Sequence, residues 1–247
     1  MESYTPTERS RACRLNERAR YDHASVHAIL DAGFICHVGY AIGGQPYVTP
    51  TSYWREGDRL YWHGSSASRM LRTLSGGVPA CLTVTHIDGL VVARSAFHHS
   101  INYRSVMAFG LARRIENPDE KRAALEAFVG RLYPGRWSRL RPMTRREFKA
   151  TLVIGMTIEE ASAKVRNGPP VDDEDDYALP CWAGVVKLRS VVGDTVPDPR
   201  LAPGIAPSPD LAAWAAEAAL DGVLSRLAAA NGYAPEPEPA RTEEVAR

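Results

Sequence analysis

Short apolar segments with a period of two alternate with turn signals from residue 34 to about residue 157, and this succession restricts the fold more than any other feature. The segments "YVTPTSYW" and "RLYWHG" flank the turn "REGD", and Gly43-Gly44 supplies an earlier turn. Asp88-Gly89, between "PACLTVTHI" and "LVVARSAF", predicts a further tight hairpin. Six or seven strands joined in this way favour a barrel over a parallel sheet, so the predicted fold class is mainly β with peripheral helices.

Helix signals occur between these strands. Asp22 is a predicted N-cap for a short helix that ends at Gly33, and Asn117 followed by Pro118 predicts the start of a longer one. The stretch "SSASRMLRTLSGG" predicts another helix, with Ser65 or Ser66 as its cap. The sequence "TRRE" from Thr144 to Glu147 fits a capping box for a short helix. The helices are few and short, as expected for elements that cover a barrel.

The composition along the chain divides it into five parts. We expect a polar N-terminal arm over 1–20, a barrel domain over 21–190 and a Pro-rich linker over 191–209. An amphipathic Ala-rich helix is expected over 210–232, followed by a disordered tail over 233–247.

The charge balance excludes some classes of partner. Lys plus Arg (30) nearly equals Asp plus Glu (29), so no net field favours nucleic acid or an anionic membrane. The sequence has no signal-peptide core and no apolar stretch of about 20 residues, so a cytoplasmic protein is expected. The four cysteines are far apart and form no CxxC pair, which indicates free thiols.

The stretch "HGSSASRMLR" is the first candidate for chemistry. A strand leads there to a helix start, where free backbone amides, serine hydroxyls and two arginines on one helical face suit a phosphate. A capped helix with solvated arginines explains the same residues equally well. From the residues alone both interpretations stay open.

The histidines are the second candidate. His63 ends a strand beside that helix start and can contact a ligand or donate a proton, or be a hydrogen-bonded structural residue. His98 and His99 are neighbours on an extended segment and point to opposite faces, so they do not ligate one ion easily. A three-histidine site with His63 and His86 stays open, but no carboxylate accompanies them at a recognisable spacing, so no metal site is predicted.

The order of four segments resembles that of a known group of proteins. "GQPYVTPTSYW", "DRLYWHGSSASRMLRTL", "VPACLTVTHIDGL" and "NYRSVMAFGLARRI", followed by "PDEKRAALEAF", are similar to the flavin-binding split-barrel superfamily. The similarity is to its branch of pyridoxamine 5'-phosphate oxidases and nitroimidazole-resistance reductases. It covers residues 12–188 approximately, and "Y.P..Y", "HG...SR" and "Y.SV...G.A" carry it.

The resemblance implies a six-stranded antiparallel split β-barrel that forms a homodimer and holds flavin mononucleotide (FMN) in grooves between protomers. By matching position, it implies that the strand from Tyr47 runs along the flavin ring and that the helix start holds the phosphate. It also implies a histidine at the active site, and strand residues that reach the flavin from across the interface. The implied cofactor residues are Tyr47, Thr49, Thr51, Ser68, Arg69, Arg72, Arg104, Ser105 and Lys164, the implied catalytic residue is His63, and the expected substrate contacts are His98, His99 and Tyr103.

The function expected from this resemblance is an FMN-dependent oxidoreductase that acts on a small organic substrate. The C-terminal Arg-rich segment that holds pyridoxal phosphate in the oxidases does not occur, so oxidation of vitamin B6 is not expected. A non-catalytic flavin carrier and a haem-binding barrel with axial ligands among His63, His86, His98 and His99 are the alternatives. A deazaflavin in place of FMN also stays open.

Overall fold

A computed structural model describes residues 2–230 as five α-helices and nine strands. The strands are β1 (Ala19–Arg20), β2 (Ile35–Ile42), β3 (Gln45–Glu56), β4 (Arg59–Ser65), β5 (Gly76–Val92), β6 (Ser100–Arg114), β7 (Thr151–Thr157), β8 (Glu160–Arg166) and β9 (Gly184–Lys187). The helices are α1 (His23–Asp31), α2 (Arg69–Leu74), α3 (Pro118–Leu132), α4 (Arg145–Ala150) and α5 (Leu220–Ala230). Within residues 2–230, no helix has the length and hydropathy needed to cross a bilayer.

Six of the strands close into an antiparallel barrel. Neighbouring strands pair in the order β5-β2-β3-β4-β7-β6, and β6 returns to pair with β5 along most of its length. Strand β8 pairs with β6 beyond the end of β7, and β1 and β9 extend the sheet at its two ends. The mainly β fold with a six-stranded antiparallel barrel and peripheral helices is therefore confirmed.

The core has two layers that follow the alternation of the strands. Inside the barrel lie Leu60, Trp62, Leu82, Ile154 and Met156, all fully buried. On the outside, a second cluster fills the space between the barrel wall and α3, and it contains Trp54, Tyr61, Ile115, Leu125 and Val153. Strand β4 contributes to both layers because successive side chains point to opposite faces.

The helix starts agree with the sequence at three of four places. Asp22 accepts a hydrogen bond from Ser25 N, Asn117 caps α3, and Thr144 and Glu147 form a complete capping box on α4. The cap of α2 is Ser68, which accepts from Leu71 N at 3.4 Å, and neither Ser65 nor Ser66 has this role. The strand before α2 is longer than expected, so the helix begins later.

Asp88-Gly89 is not a hairpin turn, which corrects the sequence-based prediction. β5 continues through this dipeptide to Val92, and its register with β6 shifts between Ile87 and Gly89 in a β-bulge. A Cβ on Gly89 would lie 2.9 Å from Val185 Cγ1, because β9 packs directly against it. Gly89 therefore permits the close approach of β9.

The N-terminal segment is packed against its own chain more closely than an exposed arm would be. Tyr4 is buried, β1 pairs with β8, and Thr7 and Arg9 both contact Glu160. The guanidinium of Arg9 also lies 4.9 Å from the ring centroid of Phe109.

The C-terminal helix is shorter than the predicted 210–232. α5 begins at Leu220, because residues 217–220 form backbone hydrogen bonds with the chain at Ser190 and Val192, and Glu217 adopts a positive φ of 62°. Trp214 Nε1 donates to Leu132 O at 2.7 Å, which fastens the preceding turn to α3. The last residues of the predicted helix and the predicted tail 233–247 lie outside the described residues.

One buried ion cluster joins α1, β3 and α3. The carboxylate of Asp31 pairs in a bidentate manner with Arg55 and also accepts from Arg131 Nη1 at 3.3 Å. Arg131 Nη2 donates to Asp31 O at 2.9 Å and to Gly33 O at 3.2 Å. The three side chains are at most 4% exposed, so the single carboxylate neutralises positive charge that water does not reach.

Replacing this carboxylate should destabilise the fold strongly. In Asp31→Ala two buried guanidinium groups lose the carboxylate that bonds both of them, and we expect a loss of about 3–5 kcal/mol in the free energy of unfolding. Glu120→Ala removes the partner of Arg59 in an exposed pair and is the matched control, with an expected loss below about 1 kcal/mol. Urea denaturation followed by circular dichroism measures both values, and equal losses for the two variants would contradict the assigned role of Asp31.

Candidate functional site

A strand edge is left uncovered where β3 and β4 separate, and the space beside this edge is called the groove. Strand β3 pairs with β2 from Gln45 to Ser52, but its pairing with β4 covers only Tyr53–Glu56. After Trp62, β4 pairs with β7 alone and leads into the turn before α2. Within the described residues, Gln45–Ser52 therefore has one strand edge that no other strand covers. Backbone amides and carbonyls on such an edge are available to a planar ligand with hydrogen-bonding edges.

The start of α2 brings positive charge to this groove. The guanidinium of Arg69 lies over the ring of Tyr47, 4.7 Å from its centroid. Arg72 is exposed one turn later on α2. In the part of the chain that the structure describes, no carboxylate pairs with Arg69 or Arg72. Stacking uses the face of the Arg69 guanidinium and leaves its in-plane N–H groups available to an anion.

The hydroxyl groups near the groove have local partners. Ser68 Oγ caps α2, and Thr49 Oγ1 lies 3.2 Å from Tyr40 OH. Thr51 Oγ1 lies 3.5 Å from Ser52 O. The structure thus places Tyr47, Thr49 and Thr51 on one face of the uncovered part of β3, with Arg69 against Tyr47 and with Ser68 and Arg72 at the start and in the last turn of α2.

The other predicted cofactor residues lie on the β6–β8 side of the barrel. Arg104 forms a bidentate pair with Asp88, at 2.7 and 2.9 Å, and also contacts Asp221 of α5 at 3.1 Å. These partners raise the pKa of Arg104 further. Ser105 is the next residue on β6 and therefore points to the opposite face. Lys164 Nζ donates to Arg14 O at 2.9 Å, so Lys164 is bonded to the N-terminal segment.

Arg104 lies in the wall of a cavity of about 500 Å³ between the β5–β6 hairpin and the C-terminal extension, which is the described part of the chain after β8. His86 is also in this wall, and its Nε2 donates to Ile29 O at 3.0 Å, since a carbonyl can only accept. Burial lowers the pKa of His86, so the ring is neutral at pH 7 and Nδ1 keeps its lone pair. Apolar lining comes from Ile87, Leu188 and Leu220.

His63 faces the outer cluster. Its ring packs 4.5 Å from Phe128 and 5.8 Å from Trp54, centroid to centroid. Burial lowers the pKa of His63, and its Nδ1 is buried and has no hydrogen-bond partner among the described residues. The predicted catalytic histidine therefore lies on the face of β4 that packs towards α3.

The predicted substrate residues lie on two elements, a turn and the strand that follows it. His98 and His99 are in the turn between β5 and β6, where His98 Nε2 is 3.4 Å from Asp173 Oδ2 and His99 Nδ1 donates to Ser95 O at 2.8 Å. Tyr103 is on β6, on the same face as Ser105. Nothing in this geometry gathers the three residues at one point.

Sequence reasoning missed the partners of Arg104. The sequence predicts a hairpin turn at Asp88, and Asp221 lies 117 positions away from Arg104. No local pattern therefore joins Arg104 to either carboxylate. The β-bulge at Asp88 and the packing of α5 create this cluster, and neither leaves a periodic signal in the sequence.

Comparison with known proteins agrees with the fold. Residues 22–165 match the family model described as pyridoxamine 5'-phosphate oxidase. The structure of the flavocytochrome Anf3 from Azotobacter vinelandii is 48% identical, with a TM-score of 0.81, and the match covers 87% of this chain and 100% of that one. The FAD and heme binding protein from Mycobacterium smegmatis is 37% identical, with a TM-score of 0.77 and coverage of 81% and 98%. No curated protein matches.

The family match spans more than half of the chain, and two solved structures share more than a third of its residues over most of its length. The resemblance in the order of the strand segments is therefore confirmed. The chain belongs to the pyridoxamine 5'-phosphate oxidase family of split-barrel proteins.

Proposed function

We propose that this protein is a flavin-binding redox protein, with the flavin in the groove beside Gln45–Ser52. The observation that carries the proposal is the uncovered edge of β3 opposite the unpaired Arg69 at the start of α2. A flavin has a flat ring with donors and acceptors along one edge, and a phosphate at the end of its side chain. In the groove, the backbone edge of β3 complements the edge of the flavin ring, and the cation Arg69 complements the phosphate.

The residues of the groove would act by binding and orientation. Backbone groups of Gln45–Ser52 would hydrogen-bond the ring edge, and Arg69, with Arg72 nearby, would hold the phosphate. When bound, the flavin supplies hydride and electron transfer, and the protein tunes it through hydrogen bonds. We propose FMN as the flavin, while similarity to the FAD and heme binding protein from Mycobacterium smegmatis favours FAD. The mass of the flavin released from purified protein distinguishes the two.

An oxidoreductase acting on a small organic substrate is the function that such a cofactor serves, and a flavin carrier without turnover is the alternative. Steady-state reduction of the bound flavin by nicotinamide donors separates the two.

All four cysteines are free thiols. This fits a reducing compartment such as the cytoplasm.

A homodimer is the proposed assembly. The outer face of the β5–β6–β9 sheet carries Ile87, Leu90, Ile101, Met107 and Val186, each at least 43% exposed. The strand register places these five side chains on the same face of the sheet, where they form an apolar surface. Exposed apolar surfaces of this kind are typical of protein interfaces. Tyr103 and Ser105 lie on the same face of β6, so in a dimer Ser105 would reach the partner while Arg104 would stay in its own cavity.

Haem is a second proposed cofactor, at the cavity beside His86. The ring of His86 is fixed by Ile29 O, and the cavity of about 500 Å³ combines apolar lining with Arg104 and Arg189, which suit an apolar macrocycle with carboxylates. The walls at 188–190 and 219–221 lie beyond the family match, which ends at 165. The matches to the flavocytochrome and to the FAD and heme binding protein cover 87% and 81% of this chain, so both matches extend beyond residues 22–165.

Arg69→Ala should weaken flavin binding. Loss of a charge-assisted contact to phosphate costs about 1.5–3 kcal/mol, or roughly 10- to 100-fold in Kd. Arg122→Ala is the matched control, because Arg122 is another exposed arginine stacked on a ring, that of Phe148, and lies on α3. Titration of the flavin-free protein with FMN, followed by flavin fluorescence, measures both. An unchanged Kd for Arg69→Ala, or a protein that binds no flavin, contradicts the proposal.

His86→Ala should weaken haem binding and change the ligation of the haem. We expect the Soret band of haem-reconstituted protein to shift and the haem Kd to rise at least about tenfold, since an axial ligand is lost. His99→Ala changes an exposed histidine in the β5–β6 turn and should leave the spectrum unchanged. A Soret band that survives in His86→Ala would assign the haem to another ligand.

Met107→Glu should produce a monomer. In a symmetric dimer this change places like charges from both copies in one apolar interface, which costs several kcal/mol. Val196→Glu alters a side chain that is 87% exposed in the C-terminal extension and is the control. Light scattering coupled to size-exclusion chromatography should give a dimer mass for the wild type and Val196→Glu only. A wild-type monomer contradicts the proposed assembly.

A further inference from the structure

Two histidines and a carboxylate converge outside the groove and outside the cavity. His23 and His27 are one turn apart on α1, and Asp58 lies in the turn between β3 and β4. His27 Nε2 is 3.0 Å and His23 Nδ1 is 3.4 Å from Asp58 Oδ1. The three ligand-type atoms all lie within 4.8 Å of one another.

The two separations from Asp58 Oδ1 are close to the edges of a metal coordination shell. With zinc–ligand bonds of 2.0–2.1 Å, the ligand atoms of a tetrahedral site are about 3.3–3.4 Å apart. Two imidazole nitrogens and one carboxylate oxygen suit zinc or a similar transition metal, whereas Ca²⁺ and Mg²⁺ prefer oxygen ligands only. A small movement of the side chains would thus bring all three atoms to bonding distance of one ion.

Tyr4 supplies a second layer around these three side chains. Its phenol donates to Asp58 Oδ1 at 2.8 Å, a bond that this oxygen can keep while another lone pair binds an ion. The phenol also lies 3.0 Å from His27 Nε2, and an ion bound to Nε2 would replace that contact. Its ring stacks on that of His23 with centroids 4.1 Å apart. Partners of this kind orient metal ligands and strengthen metal binding.

Access and burial also fit an ion. The side chains of His23 and His27 are 20% and 14% exposed, so their rings are held in place, while Asp58 is 48% exposed and leaves a path for the ion. No sequence pattern predicts this site, because Asp58 is 31 positions from His27 and only the β3–β4 turn brings it to α1.

We propose that His23, His27 and Asp58 form a binding site for a divalent transition-metal ion of the zinc type, with water completing the coordination. The ion fastens the N-terminal segment to the barrel, because Tyr4 holds both the ligands and the start of the chain. This segment also covers β6 and β8 through Arg9. Metal that binds only the folded state then stabilises this docking by mass action.

The test uses the full-length protein as purified, treated with a chelator and dialysed. Zinc titration in competition with a chromogenic chelator should give one Zn²⁺ per chain, and Co²⁺ should give the visible absorption bands of a tetrahedral site. In His23→Gln/His27→Gln the zinc Kd should rise at least about 100-fold. Zinc should also slow tryptic cleavage within the Arg-rich residues 9–20 of the wild type.

The control is His98→Gln/His99→Gln, which removes the same number of histidines from the turn where His98 approaches Asp173. It should bind zinc as the wild type does. Asp58→Asn keeps an oxygen acceptor for Tyr4 while removing the charge, and its zinc Kd should rise although its circular dichroism stays native. Equal zinc binding by the wild type and His23→Gln/His27→Gln, or no stoichiometric binding by the wild type, overturns the proposal. Neither result depends on the flavin or haem content of the protein.

Discussion

The separation of β4 from β3 after Trp62 is the constraint on which the candidate site depends. Tyr53 and Trp62 form the last pair of the two strands, and both are fully buried in the barrel. Beyond them, Leu71 of α2 packs so closely that a Cβ on Gly64 would lie 3.0 Å from its Cδ1. From His63 to Ser65, β4 pairs with β7 alone, and the edge of β3 stays uncovered. A groove formed in this way is a property of the core, and it exists before any ligand binds.

The barrel was predictable because its information is local. Alternating strands, the capping box at Thr144 and the Pro118 helix start all act over a few residues, and the structure has each of them. The uncovered edge of β3 could be reached only through resemblance, since strand pairing is not local. Asp88-Gly89 has the composition of a hairpin turn, but β9 needs Gly89 for close packing and the dipeptide forms a bulge. Contacts with distant segments decided that position against its local preference.

The same argument applies to the buried charges. Asp31, Arg55 and Arg131 come from three elements separated by up to 100 positions, and as isolated residues each resembles a surface residue. Their packing joins the end of α1 to the α3 layer, next to Gly33, whose carbonyl accepts from Arg131. His86 lies against the same glycine, 3.1 Å from the position of a Cβ. The ion cluster therefore fixes the backbone against which the His86 ring is oriented, and so links stability to the geometry of the cavity.

In the described part of the chain, both ends are attached to the barrel by polar contacts as well as by buried apolar side chains such as Tyr4, Val223 and Leu224. At the N-terminal end these contacts are Tyr4 with Asp58 and Arg9 with Glu160; at the C-terminal end they are Arg104 with Asp221 and Trp214 with Leu132 O. Contacts of this type add little net stability each and respond to salt and to ligands. Since residues 188–190 and 219–221 form part of the cavity wall, a ligand that bridges Arg104 and these residues would strengthen their attachment to the barrel.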